Sequence, residues 1–203
     1  MKTIRLLAFL FTGTILLASC SSDDDNPDPV NEEELITRVT VTLSTEGEED
    51  VTLEFADESG LGHDHDEEEE GSEEDHDHLE GTVSGPLKPN TTYTGSISLL
   101  NESVSPADDI TEEVKEEADE HQFFYQNIDG LDITNFTYTD AESDYIEDGS
   151  DNPVGLSFTL TTGAASHGDL RIVLRHQPVK PNTGLEDAGG ETDMDISFHV
   201  DIE

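Results

Sequence analysis

The sequence predicts a mainly β domain, a β-sandwich with one short helix. Three observations carry that expectation. Apolar and polar residues alternate in short runs along most of the chain, the period of a strand with one face buried. Clusters of Gly, Asn, Asp and Pro separate the runs, as turns do. One segment alone switches to helical spacing, and many strands with a single helix fit a sandwich better than an α/β sheet.

The first 20 residues, "MKTIRLLAFLFTGTILLASC", place Lys2 and Arg5 before an apolar run from Leu6 to Leu17. That run is shorter than the roughly 20 residues of a spanning helix and suits a signal peptide. Its end, Leu17-Ala18-Ser19-Cys20, resembles a bacterial lipobox, which implies cleavage after residue 19 and lipidation of Cys20. Cys20 is the one cysteine of the chain, so it has no intramolecular disulfide partner. The following "SSDDDNPDPVNEEE" is a charged, proline-containing tether. Asp23, Asp24 and Asp25 resemble the acidic signal that sends Bacteroidota lipoproteins to the outer face of the outer membrane. The expected organisation is a signal peptide over 1–19, a tether over 20–33 and a sandwich over 34–203, with a disordered His/acid loop at 57–80.

Within the domain, strand patterns run over Leu35 to Ser44, Val51 to Phe55, Thr91 to Leu100, Phe136 to Tyr138 and Leu156 to Thr161. Shorter ones are "GTVSG" at 81–85 and "QFFYQ" at 122–126. The turn-rich "DAESDYIEDGSDNPVG" joins two of these strands as a long hairpin loop. In "DLRIVLRH", Leu170, Ile172 and Leu174 point inward while Arg171 and Arg175 point outward. In "DMDISFHVDI", Met194, Ile196, Phe198, Val200 and Ile202 share one face, and Asp193, Asp195, Ser197, His199 and Asp201 the other. Pairing of these two strands would set the arginines near the aspartates. The exception to alternation is "DDITEEVKEEADEH", with Ile110, Val114 and Ala118 four apart, acids in the first turn and His121 at its end. It reads as a short helix capped by Asp109.

"GPLKPNTTYTGSISLLN" resembles the strand entry of fibronectin type III and related immunoglobulin-like domains, with Tyr93 as the inward tyrosine. The fold this implies is an immunoglobulin-like β-sandwich. "DITEEVKEEADEHQFFYQ", "LRIVLRHQPVK" and "GGETDMDISFHVDI" resemble a family of small flavobacterial surface lipoproteins. That resemblance implies an accessory role beside an outer-membrane TonB-dependent receptor.

The chain has a formal net charge of −42. Beyond residue 19 its basic side chains are Arg38, Lys88, Lys115, Arg171, Arg175 and Lys180, set against all 50 acids. Such a surface repels phosphate backbones and excludes nucleic acid as a natural partner. It concentrates cations within a screening length of roughly 8–10 Å.

The segment "HDHDEEEEGSEEDHDH" holds 14 His, Asp or Glu among its 16 residues from His63 to His78. Four of the eight histidines of the chain fall there, all in His-x-His pairs. In an extended chain His63 and His65 project to one side about 7 Å apart, and His76 and His78 repeat the arrangement. A hinge at Gly71-Ser72 lets the two pairs converge. Imidazole suits zinc, copper, nickel or cobalt, and Asp64, Asp66, Asp75 and Asp77 can complete the shell. The run resembles the His/Asp loops of zinc-transport proteins. The alternatives are calcium on the carboxylates, or a solvated acidic loop with no specific ligand. Ordering a flexible site costs entropy, so micromolar affinity is expected, weakening as protons compete near pH 6.

Other groupings carry weaker signals. His199 with Asp201 can ligate a cation but reads as strand surface, and Glu117 with His121, at i and i+4, can chelate but reads as a helix end on its dipole. Ser166-His167-Gly168-Asp169 has triad residue types without triad geometry and reads as a turn. Asp144, Glu147, Asp148, Asp151 and Asn152 lack the spacing of a calcium loop. No phosphate loop or nucleophile elbow occurs, so the chain is not expected to be an enzyme. The expectation is a lipid-anchored, cell-surface protein that captures zinc or a similar ion beside an uptake receptor. The alternative is an immunoglobulin-like adhesion or receptor-partner module; with no Trp and four Tyr, glycan platforms are scarce.

Overall fold

A computed structural model describes residues 35–61 and 81–203. Among these residues, nine strands form two antiparallel sheets: β1 (Ile36–Ser44), β2 (Val51–Leu61), β3 (Thr82–Val83), β4 (Thr92–Leu100), β5 (His121–Ile128), β6 (Ile133–Tyr138), β7 (Ser157–Thr162), β8 (Ser166–His176) and β9 (Glu191–Ile202). Helix α1 (Ile110–Glu116) connects β4 to β5, and the single turn α2 (Leu185–Ala188) precedes β9. The larger sheet has the order β3-β2-β1-β4-β7-β6 and the smaller β5-β8-β9. Without the β2–β3 extension, the orders β1-β4-β7-β6 and β5-β8-β9 are those of the ABED and CFG sheets of an immunoglobulin constant-type sandwich. Among the described residues, no helix is long and apolar enough to cross a membrane.

The sequence alternation becomes the core. Val39, Val41 and Leu43 of β1, Tyr93, Ile97 and Leu99 of β4, and Phe158 and Leu160 of β7 face Leu170, Ile172 and Leu174 of β8 and Ile196, Phe198 and Val200 of β9. Phe158 is accommodated because β4 has Gly95 opposite it in register; a Cβ there would lie 2.2 Å from the Phe158 ring. Tyr93 is buried and its hydroxyl accepts the Lys88 N–H at 2.7 Å, fixing the turn into β4. The edge of β9 is covered rather than bare: Leu87 N–H donates to Asp201 O at 2.8 Å and Glu203 N–H to Leu87 O at 2.9 Å.

Two expectations are corrected. The chain at 57–61 does not belong to a loop, because β2 runs on to Leu61, which pairs with Ile36 across a bulge. Ser166-His167-Gly168-Asp169 is not a turn but the start of β8, paired in register with Ile202 back to His199.

The aromatic end of the sandwich has a consequence for pH. Tyr125 stacks with Phe136 at 4.5 Å, and its hydroxyl donates to Gly155 O at 2.7 Å. The Tyr138 hydroxyl donates to Phe123 O at 2.8 Å. Burial pushes the Tyr138 phenol up to about 12, with the Asp140 charge acting in the same direction, and burial raises Tyr125 well above its ordinary value. A raised phenol contributes stability that is complete below the unfolded value near 10 and is lost as pH rises through the folded one. The urea midpoint is therefore expected to fall between about pH 9 and about pH 11.5, and Tyr138→Phe should make the fall shallower.

Candidate functional site

The residues of interest converge where α1 hands over to β5. Asp109 caps the helix by accepting the Thr111 N–H at 3.1 Å, and Ile110, Val114 and Ala118 are buried, as their spacing predicts. The Thr111 hydroxyl pins the helix to β4, accepting Leu99 N–H at 2.9 Å and donating to Leu99 O at 3.1 Å. After Glu117 one tight turn, closed by Glu120 N–H to Glu117 O at 2.8 Å, leads straight into β5. His121 is thus not the last helical residue but the first of a strand, wholly buried.

His121 lies opposite His176, the last residue of β8, and the two rings stack with centroids 4.6 Å apart and planes 17° from parallel. The His121 Nδ1 is 3.2 Å from Glu117 O. A carbonyl only accepts, so Nδ1 carries the proton and Nε2 is the lone-pair nitrogen of the neutral ring. That Nε2 is 3.7 Å from Asp193 Oδ2, and His176 Nδ1 is 3.9 Å from Asp193 Oδ1. On its other side His176 Nε2 is 3.7 Å from Glu120 Oε2.

Asp193 corrects the sequence reading, which put it on the polar face of the last strand. Thr192 pairs with Arg175 and Met194 with Leu174, so Asp193 is the extra residue of a β-bulge. A bulge places two consecutive side chains near the same face, and both Asp193 and Met194 are buried. The bulge turns the carboxylate off the outer surface and toward the two imidazoles. Beyond it the alternation from Met194 to Ile202 holds as read.

Glu117, His121 and His176 each present a ligating atom, and these atoms lie within 4.8 Å of one another. Glu117 is exposed, whereas the two histidines and Asp193 form a buried floor. The two rings approach different oxygens of Asp193, so the carboxylate lies beside both, while the ligating atoms that converge are those of Glu117, His121 and His176. A buried carboxylate beside two imidazoles is a donor set that suits a cation.

Lys180 holds the backbone of this site. Its ammonium donates to Ala118 O and His121 O, both at 2.7 Å, and lies 3.1 Å from Glu142 Oε1. The lysine and glutamate side chains are 5 % and 4 % exposed. Burial opposes the charge on Glu142, but hydrogen bonds from the Ser150 hydroxyl and N–H and from Lys180 outweigh it and hold the carboxyl below its ordinary value. Burial lowers Lys180, with Glu142 opposing.

Of the residues singled out from sequence, the structure brings Glu117 and His121 together with His176 and Asp193, neither of which local spacing marks as a ligand. His199 bonds Asp169, its neighbour across the strand pair, through Nδ1 at 2.8 Å. Arg171 meets Asp195 as the strand pairing suggested, while Arg175 bonds the Thr192 hydroxyl. In the loop before β7, Glu142 binds Ser150 and Asn152 and so closes the turn on itself. His63, His65, His76, His78, Asp64, Asp66, Asp75, Asp77 and Cys20 lie outside the described residues. The fold and cluster define a β-sandwich with a candidate histidine–carboxylate metal group. No family model matches the chain, and neither a curated protein nor a solved structure is significantly similar to it.

Proposed function

We propose that this chain is a metal-capturing surface lipoprotein: a β-sandwich, tethered to the outer membrane through a lipid on Cys20, that binds zinc or a similar divalent transition ion. The observation that carries the reading is the convergence of Glu117, His121 and His176 ligating atoms within 4.8 Å, with Asp193 beside both rings. Two imidazoles select a transition ion over calcium, which prefers an all-oxygen shell. The His-x-His pairs at 63–65 and 76–78 supply a second, locally encoded set of the same donors. A protein that carries both a collecting segment and an interior group suits delivery to an uptake receptor, the role implied by the resemblance to flavobacterial lipoproteins.

The test is calorimetric zinc titration of the chain from Ser21 onward at about pH 7.4 in millimolar calcium, where protons compete little for imidazole. Changing His63, His65, His76 and His78 to Asn should remove one class of sites. Changing His121 and His176 to Asn should remove another. Equal weak heats from all three proteins would defeat the reading and leave the ABED/CFG topology, common among adhesion and receptor modules, as the better guide to function.

A further inference from the structure

Pairing of β8 with β9 sets His167 opposite Asp201 and Asp169 opposite His199. Their neighbours along the strands, Gly168, Leu170, Val200 and Ile202, are buried, so His167, Asp169, His199 and Asp201 share the outer face of the smaller sheet. Two histidines and two carboxylates therefore occupy the corners of one cross-strand patch, with the imidazoles on a diagonal. The two rings have centroids 6.3 Å apart with planes at 50°. Imidazoles that share one ion through bonds of about 2.0–2.1 Å have ring centres on the order of 5–6 Å apart. The observed spacing is within a side-chain adjustment of that value.

The second observation is the orientation of His199. Its Nδ1 lies 2.8 Å from Asp169 Oδ1. With a carboxylate as acceptor, Nδ1 carries the proton and the lone pair of the neutral ring is on Nε2. A carboxylate behind an imidazole is the arrangement that fixes tautomer and raises basicity in metal-bound histidines. The strands hold the patch rigidly, because β8 is the central strand of its sheet and is bonded on both sides.

We propose that His167 and His199 ligate one divalent transition-metal ion on the outer face of β8 and β9, with Asp169 orienting His199 and water completing the shell. The nitrogen pair suits zinc, nickel, copper or cobalt rather than calcium or magnesium. Unlike the interior cluster, this site exchanges its ion directly with solvent. It shares no residue with the interior cluster or with the 63–78 segment, so it stands or falls independently of them.

The experiment follows the imidazole nitrogen resonances of the full chain during titration with zinc chloride in millimolar calcium. His167 and His199 should respond together along a single isotherm. His199→Gln should abolish the His167 response, and His167→Gln the His199 response. Asp169→Asn, which leaves both nitrogen ligands in place, should weaken the shared isotherm by about tenfold, the effect of removing an outer partner of a metal-bound histidine. Persistence of either response after its partner is replaced, or no response from either, would overturn the proposal and leave an ion pair that serves strand pairing. Loss of the isotherms of the 63–78 segment or of the interior cluster would not alter these readings.

Discussion

Zinc at about a hundred times its dissociation constant should stabilise the folded chain by about 2.7 kcal/mol and raise its thermal midpoint by roughly 5–10 °C. The effect requires a site that exists in the folded chain and not in the unfolded one. His121, His176 and Asp193 meet such a requirement, since they come from β5, β8 and the bulge of β9 and are joined only by the register of the smaller sheet. The four histidines at 63–78 do not. They lie within 16 residues of each other, so an unfolded chain retains their donors and their binding contributes little to the difference. Asp193→Asn keeps the size of the side chain and removes its charge. It should erase more than half of the zinc-dependent rise in a thermal melt followed by circular dichroism. A rise unchanged by replacing His121 and His176 with Asn would remove the interior cluster from consideration as a site.

The same contrast explains what the sequence makes legible. Alternation at 194–202 and at 170–174 reads directly as core, because a half-buried strand imposes its period on every second residue. Asp109, Ile110 and Val114 read directly as a capped helix, since cap and stripe are local, although α1 stops at Glu116 and Ala118 is buried in the turn beyond it. Asp193 does not, because a bulge moves a side chain from one face to the other without any residue type that demands it. Nor does His176, which looks like the polar end of an apolar strand until pairing brings it against His121. His199 reads correctly as surface, but its partner is Asp169 on the neighbouring strand, and no pattern along one strand contains that contact. The histidines at 63–78 are the reverse case, visible as composition and needing no register to be noticed. The site reading is thus weakest where ligands come from different strands.

Lys180→Met should cost about 3–5 kcal/mol, the usual range when one partner of a buried ion pair is removed. Three groups lose their cation at once: the carbonyls of Ala118 and His121 and the carboxylate of Glu142. Glu142 keeps its hydrogen bonds from Ser150 and Asn152, so the loop before β7 should remain formed while its charge is left in a dry place. The pH dependence has a definite sign. A carboxyl held below its ordinary value contributes stability that is present above the unfolded value and lost as pH falls through the folded one. Without the lysine, Glu142 takes up its proton at higher pH, so part of the lost stability should return as the variant is acidified through the ordinary carboxylate range. The double variant Lys180→Met/Glu142→Gln removes both charges. It should recover a large share of the loss in urea denaturation, with a coupling on the order of 1–3 kcal/mol between the two positions. Additive losses would mean that the lysine acts through its two carbonyls alone. In that case zinc affinity should fall equally in the single and double variants, because both loosen the turn that sets the His121 ring against His176.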